Sequence, residues 1–157
     1  MFLNRGEARM IDEIDRRLIK ALNENARRSF RELAKEVGLS VTAVINKIKK
    51  LEEAGAIKGY IAVLDPEYFG YNLMAIIALR ISKGKLLETQ ELIAREPQVV
   101  AVYDITGEWD SLVIGYFRSR EELNRFIKKI LSFRYVDRTV THLVLNVVKD
   151  EKKLPFL

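Results

Sequence analysis

The sequence predicts an α+β chain in two parts, a helical N-terminal domain followed by a four-stranded sheet carrying two helices. Three observations lead to that expectation. Apolar residues recur at helical spacing three times before residue 55. From residue 73 the pattern changes to strand, helix, strand, strand, helix, strand, the order of a ferredoxin-like βαββαβ sandwich. Basic charge is unevenly spread: residues 1–60 hold 13 Lys or Arg against 9 Asp or Glu, whereas residues 61–157 hold 14 against 13. A chain of 157 residues has room for two small domains, each with its own core.

The first nine residues show no period and are expected to be loosely held. From there, IDEIDRRLIKALNEN sets Ile11, Ile14, Leu18, Ala21 and Leu22 on one stripe, with Asp12, Glu13 and Asp15 in the first turn, where the helix dipole favours acids. Ser29 and Glu32 have the spacing of a capping box, and Phe30, Leu33, Ala34 and Val37 form the stripe of a second helix. Gly38 suits the left-handed residue that ends a helix, and Ser40 suits the cap of the next. A third helix over 41–54 turns Val41, Val44, Ile45, Ile48 and Leu51 to one side and Thr42, Ala43, Asn46 and Lys50 to the other. Two helices joined by so short a turn make a helix-turn-helix.

The outward side of that third helix has no acid before Glu53. Ser40, Thr42, Ala43 and Asn46 are small or amide residues near the start of a helix, suited to base edges in a major groove; Asn pairs two-fold with adenine. Lys47, Lys49 and Lys50, with Arg27, Arg28 and Arg31 from the preceding segment, are candidates for phosphate contacts to double-stranded DNA. The competing reading is a helical hairpin whose basic face is merely solvated. IKGYIAVLD after Gly55 has strand-forming residues, which makes the unit a winged or strand-tailed helix-turn-helix.

Within the second part, strands are expected over 73–82, 99–106, 111–118 and 139–148, and helices over 86–96 and from a second capping box, Ser119 with Glu122. The strand over 73–82 is apolar on both faces, which exposes too large a patch for a monomer and implies self-association. The domain boundaries expected are 1–64, a linker over 65–72, the sandwich over 73–150 and a charged tail over 151–157. The chain has no cysteine and one histidine, so disulfides, thiol catalysis and zinc-cysteine sites are excluded, and no metal is expected. His142 alternates with Val140 and Val144, which suits an interior or interface histidine. No apolar run reaches the roughly 20 residues needed to span a bilayer, and no signal-peptide core is present, so a cytoplasmic protein without a membrane partner is expected.

The chain resembles the leucine-responsive and asparagine-responsive regulators, also called feast/famine regulatory proteins. Asp12, Asp15 and Leu22 carry the resemblance, with Ala26-Arg27, Leu33-Ala34, Val37-Gly38-Leu39-Ser40, Val44, Leu51-Glu52, Gly55-Ala56-Ile57 and the loop Thr106-Gly107-Glu108-Trp109-Asp110. It implies a DNA-binding transcription regulator, not an enzyme, dimeric through the sandwich, assembling to tetramers or octamers and tuned by a small amino acid. The family commonly has Pro in the place of Val41 and Arg near Asn46 and Lys47, so its operator preference does not transfer.

The resemblance places the effector site at Gly107, Glu108 and Asp110, with Asp104, Thr106 and Trp109 beside them. A glycine there admits a ligand to backbone N–H groups, and the acids suit an ammonium group, favouring lysine or arginine as effector. Thr139 and Thr141 on the last strand and Asn124 and Lys128 on the last helix are further candidates. Ordinary hairpin chemistry with solvated acids is the alternative. An architectural DNA-compacting protein without an effector is the alternative function. An enzyme lacks a nucleophile-base pair or a glycine-rich phosphate loop to build on.

Overall fold

The computed structural model describes residues 11–82 and 84–155, so the expectation for the first nine residues lies outside the described ones. The chain forms two compact units. One runs to Ala62 and takes in the segment from Lys149; the other is Val63–Val148.

The first unit holds α1 (Glu13–Glu24), α2 (Phe30–Val37) and α3 (Val41–Glu53). Ser29 and Glu32 cap α2 reciprocally, at 3.3 Å from the Glu32 N–H to Ser29 Oγ and 2.7 Å from the Ser29 N–H to the Glu32 carboxylate. Gly38 ends α2 at φ +73°, and Ser40 Oγ accepts the Ala43 N–H at 3.2 Å to start α3. The acids expected to serve only the dipole of α1 form a capping box as well: Asp12 and Asp15 each accept the other's N–H. Leu18, Ala21, Leu33, Ala34, Val37, Val44 and Ile48 close the core.

The stripes are narrower than their spacing suggests. Phe30 (45% exposed), Val41 (37%) and Ile45 (40%) lie outside the core, because Phe30 and Val41 open their helices with no preceding turn to pack over them, and Ile45 continues the flank of Val41. Lys47, expected at phosphate, instead places Nζ 2.5 Å from Asp12 and 2.8 Å from Asp15, tying α3 to the start of α1. Arg28, also expected at phosphate, pairs with Glu36, and Arg17 donates to the Glu36 carbonyl. The expected strand after Gly55 does not form. Residues 58–65 have no ladder partner, and Tyr60, Ile61, Val63 and Leu64 are exposed, so β propensity alone does not make a strand here. Within the segment expected as a charged tail, the Leu154 carbonyl accepts from Asn23 Nδ2 of α1 at 3.0 Å.

In the second unit, residues 65–72 hold a 3₁₀ turn, Glu67–Phe69, started by Asp65 accepting the Glu67 N–H at 3.0 Å. The sheet contains β1 (Leu73–Ile81), β2 (Val99–Asp104), β3 (Ser111–Phe117) and β4 (Val136–Leu143) in the antiparallel order β2-β3-β1-β4, with α4 (Leu86–Ala94) and α5 (Arg120–Leu131) in the two crossovers. This is the ferredoxin-like arrangement. Ala75, Ile77, Leu79, Ile81, Val113 and Phe117 face Ile93 of α4 and Leu123, Phe126 and Ile130 of α5. Met74, Ile76, Leu112, Ile114 and Tyr116 alternate onto the other face and are only half-buried.

β4 starts three residues before the expected 139 and stops five before the expected 148. Val136 pairs with Ile81 and Leu143 with Ala75, and the Val144 N–H makes one more bond, to the Met74 carbonyl at 2.9 Å. The second capping box is half made: Ser119 Oγ caps the Glu122 N–H at 3.2 Å, but Glu122 turns to the Arg118 N–H at 2.6 Å. His142 is exposed and sits opposite Ile76 on the helix-free face, so it is not interior. A Cβ on Gly115 would come within 3.0 Å of the Phe117 ring and 3.1 Å of the Gln98 carbonyl. Glycine there leaves room for the Phe117 ring, which meets Phe126 at 5.3 Å between ring centroids.

Gly115→Ala should destabilise the second unit by about 1–3 kcal/mol by overpacking, measured as a lower urea midpoint at unchanged slope. The Asp12–Lys47 pair should be visible in pH dependence. Lys47 donating to Asp12, aided by the Asp15 N–H, holds the Asp12 carboxyl below its usual value, and Asp12 and Asp15 raise the Lys47 ammonium above its own. The stabilisation is therefore full above the ordinary carboxylate range and below the ordinary lysine value; it is lost as pH falls through the depressed Asp12 value or rises through the raised Lys47 value. The gap in urea midpoint between wild type and Lys47→Met should be flat from about pH 5 to 9 and should close in acid. A gap that persists in acid contradicts the assignment.

Candidate nucleic-acid interface and ligand loop

The outward face of α3 is set by the burial of Val44, Ile48 and Leu51, which turns the opposite side of the helix away from the core. Thr42, Asn46, Lys49 and Lys50 are exposed on that face and Ala43 is half-buried beside them. The Ser40 hydroxyl is engaged as the cap. Lys49 lies 3.9 Å from Glu53, both well exposed, a pair worth a few tenths of a kcal/mol that a phosphate readily displaces. Arg27, Arg31 and Lys50 are exposed without an ion pair among the described residues. Of the ten residues proposed for DNA, the structure therefore gathers Thr42, Asn46, Lys49 and Lys50 on one surface of α3. Lys47 and Arg28 are engaged with carboxylates.

At the β2–β3 end of the sheet, Thr106, Gly107, Glu108 and Trp109 project from a hairpin closed by the Ile105 N–H on the Asp110 carbonyl at 3.2 Å. Gly107 has φ +117°, a conformation that L side chains rarely adopt. Asp110 is a structural acceptor: its N–H donates to Leu79, and its carboxylate takes the Ile81 N–H at 2.8 Å, pinning the loop to β1. Two cations that the sequence reading missed meet the acids. Arg80 donates to the Glu108 carbonyl and lies 3.8 Å from the Asp110 carboxylate. Arg138 lies 3.3 Å from Glu108 and stacks on Trp109 with its guanidinium carbon 4.6 Å from the ring centroid.

The acid surplus that favoured a cationic effector is therefore reduced to one charge. Asp104, Glu108 and Asp110 are balanced by Arg80 and Arg138 to within one charge. Alternation along β1 and β4 was the signal for both arginines, since Arg80 and Arg138 are register partners at the sheet end nearest the loop. Thr139 pairs with Leu79, the residue whose carbonyl receives Asp110, so it lies one strand from the loop; Thr141 pairs with Ile77, further along. Asn124 and Lys128 are exposed on α5, with no hydrogen bond to the loop among the described residues. Described residues also include no helix long and apolar enough to cross a membrane, and no cluster of His, Asp or Glu suited to a metal ion.

The sequence matches known families over both units. Residues 11–52 fit the AsnC-type helix-turn-helix domain and residues 74–154 the Lrp/AsnC ligand binding domain. An uncharacterised HTH-type transcriptional regulator of Pyrococcus abyssi is 44% identical over 145 residues, spanning 92% of this chain and 99% of that protein. A transcriptional regulator of Neisseria meningitidis, solved as a complex with L-Met, superimposes with a TM-score of 0.84 at 30% identity over 92% of this chain and 96% of its own. AsnC of E. coli superimposes at 0.82 with 27% identity, over 90% and 96%. Two family domains in order, on the helix-turn-helix and sandwich described above, show that this chain belongs to the Lrp/AsnC family of DNA-binding transcription regulators.

Proposed function

We propose that α3 reads operator sequence and that an amino acid with an uncharged side chain binds at the Thr106–Asp110 loop, modulating assembly and DNA binding. The observation that carries the effector reading is the near-neutral loop, in which Arg80 and Arg138 already meet Asp110 and Glu108. A zwitterion suits such a loop. Its carboxylate has guanidinium and Gly107 N–H donors, and its ammonium has Asp104, exposed at the strand end. A cationic side chain would meet the two arginines. The L-Met complex of the Neisseria relative supports an uncharged side chain. Thr139 is the nearest of the outlying candidates, and Thr141, Asn124 and Lys128 take part only if another copy brings them to the loop.

Self-association is the third part of the proposal. Met74, Ile76, Leu112, Ile114 and Tyr116 form an apolar face that neither helix of the unit covers, and a second copy of the same face is the simplest cover for it. Dimers so formed would build tetramers or octamers.

Binding to DNA should fall steeply with salt. Lys50→Ala should weaken all duplexes alike and lower the log–log salt slope by about 0.9, one phosphate contact. Asn46→Ala should cost about 1–3 kcal/mol on the preferred sequence and relax preference at one position. Affinity that is flat in salt contradicts the interface.

Calorimetry with single amino acids should show uncharged ones binding, lysine and arginine binding more weakly, and Gly107→Val abolishing the heat. No heat with any amino acid would favour the architectural reading; selective binding of lysine would restore the cationic one. Light scattering should find no monomer at micromolar concentration for wild type, and a folded, smaller species for Ile76→Glu.

A further inference from the structure

We propose that Lys47 is a positioning residue of the recognition helix: its ammonium group, held by Asp12 and Asp15, locks α3 to the N-terminal cap of α1 and does not contact DNA phosphate. The hydrogen bonds close on themselves. Asp12 uses Oδ1 for the Asp15 N–H and Oδ2 for Lys47, at 2.7 and 2.5 Å. Asp15 uses Oδ2 for the Asp12 N–H and Oδ1 for Lys47, at 3.3 and 2.8 Å. Four carboxylate oxygens thus take four hydrogen bonds from three donor groups, and the same two residues that start α1 hold α3.

Releasing Lys47 to a phosphate would strip one oxygen of each carboxylate, including that of Asp15, whose side chain is only 17% exposed. The Lys47 side chain is itself 25% exposed, against 70% for Lys49 on the outward face. Apolar packing of Val44 and Ile48 on Leu18 decides which side of α3 turns inward but is non-directional, so it leaves sliding and small changes of rotation weakly fixed. A charged two-point anchor has direction. Thr42 and Asn46 address base edges only if α3 sits at one rotation, so the anchor acts on readout through geometry.

The inference rests on α3 being the recognition helix, which Asn46→Ala and Lys50→Ala test separately. The full-length protein would be titrated with the duplex that wild type selects from a random-sequence pool, and with a random duplex of the same length, across a salt series. Lys47→Met is expected to weaken the selected duplex about tenfold, the scale of one lost base contact, with the random duplex little changed and the salt slope unaltered. A merely structural role would not change that ratio for a variant shown to be fully folded by its melting curve. Lys47→Arg, which can still bridge both acids, should restore it.

Asp12→Asn with Asp15→Asn decides the sign, because asparagine still caps α1 while the anchor is lost. A positioning Lys47 predicts weaker binding of the selected duplex by this more positive variant. A phosphate-binding Lys47 predicts tighter binding, since the lysine is freed. Tighter binding, or a salt slope that falls by about 0.9 in Lys47→Met, would overturn the proposal; so would equal loss on both duplexes. Should Lys47→Met fail to fold, the asparagine pair carries the test alone.

Discussion

The double pairing of β1 is the constraint on which the ligand-binding half depends. β1 is flanked by β3 and β4, and its residues alternate between the helix-covered core and the face that no helix covers. The hairpin loop is not free at its end. Asp110 is bonded to Leu79 and Ile81, and Arg80 reaches back to Glu108, so the loop's geometry is dictated by the last turn of the pleat in β1. β4 then brings Arg138 to the same end by register alone. Loop shape and the placement of Arg80 thus follow from β1, and the open apolar face is shared by β1 and β3.

The helix-turn-helix is built on a different economy, in which short helices are defined by their caps more than by their cores. Asp12, Ser29 and Ser40 each fix a start, and Gly38 fixes the turn between α2 and α3. Charged side chains then join helices that apolar contact only brings near: Lys47 to Asp12 and Asp15, and Arg17 and Arg28 to Glu36. Part of the basic charge that reads as a footprint for DNA is spent inside the protein. The charge that faces outward on α3 is Lys49 and Lys50.

Sequence reading succeeded where local chemistry decides. Capping residues, helical stripes, the glycine turn and the βαββαβ order are all written in spacing, and each appears in the structure. It failed where a distant partner decides. No local rule pairs Lys47 with residues more than thirty positions earlier, or places Arg80 and Arg138 against Glu108 and Asp110. Residues 58–65 have strand composition but no strand to pair with, and the start of β4 at Val136 is marked by its pairing with Ile81, a partner far away in sequence. Asp12 and Asp15 were legible as first-turn acids, and their D-x-x-D spacing also carried the capping box.

In the function proposed above, an amino acid and DNA bind one protein with coupled free energies. The most direct measurement is the reciprocal titration: DNA affinity with and without a saturating uncharged amino acid, and amino-acid affinity with and without the selected duplex. The coupling factor should be the same in both directions, about 5- to 150-fold. An amino acid that binds at the loop yet leaves DNA affinity unchanged, at protein concentrations spanning the assembly equilibrium, would contradict it.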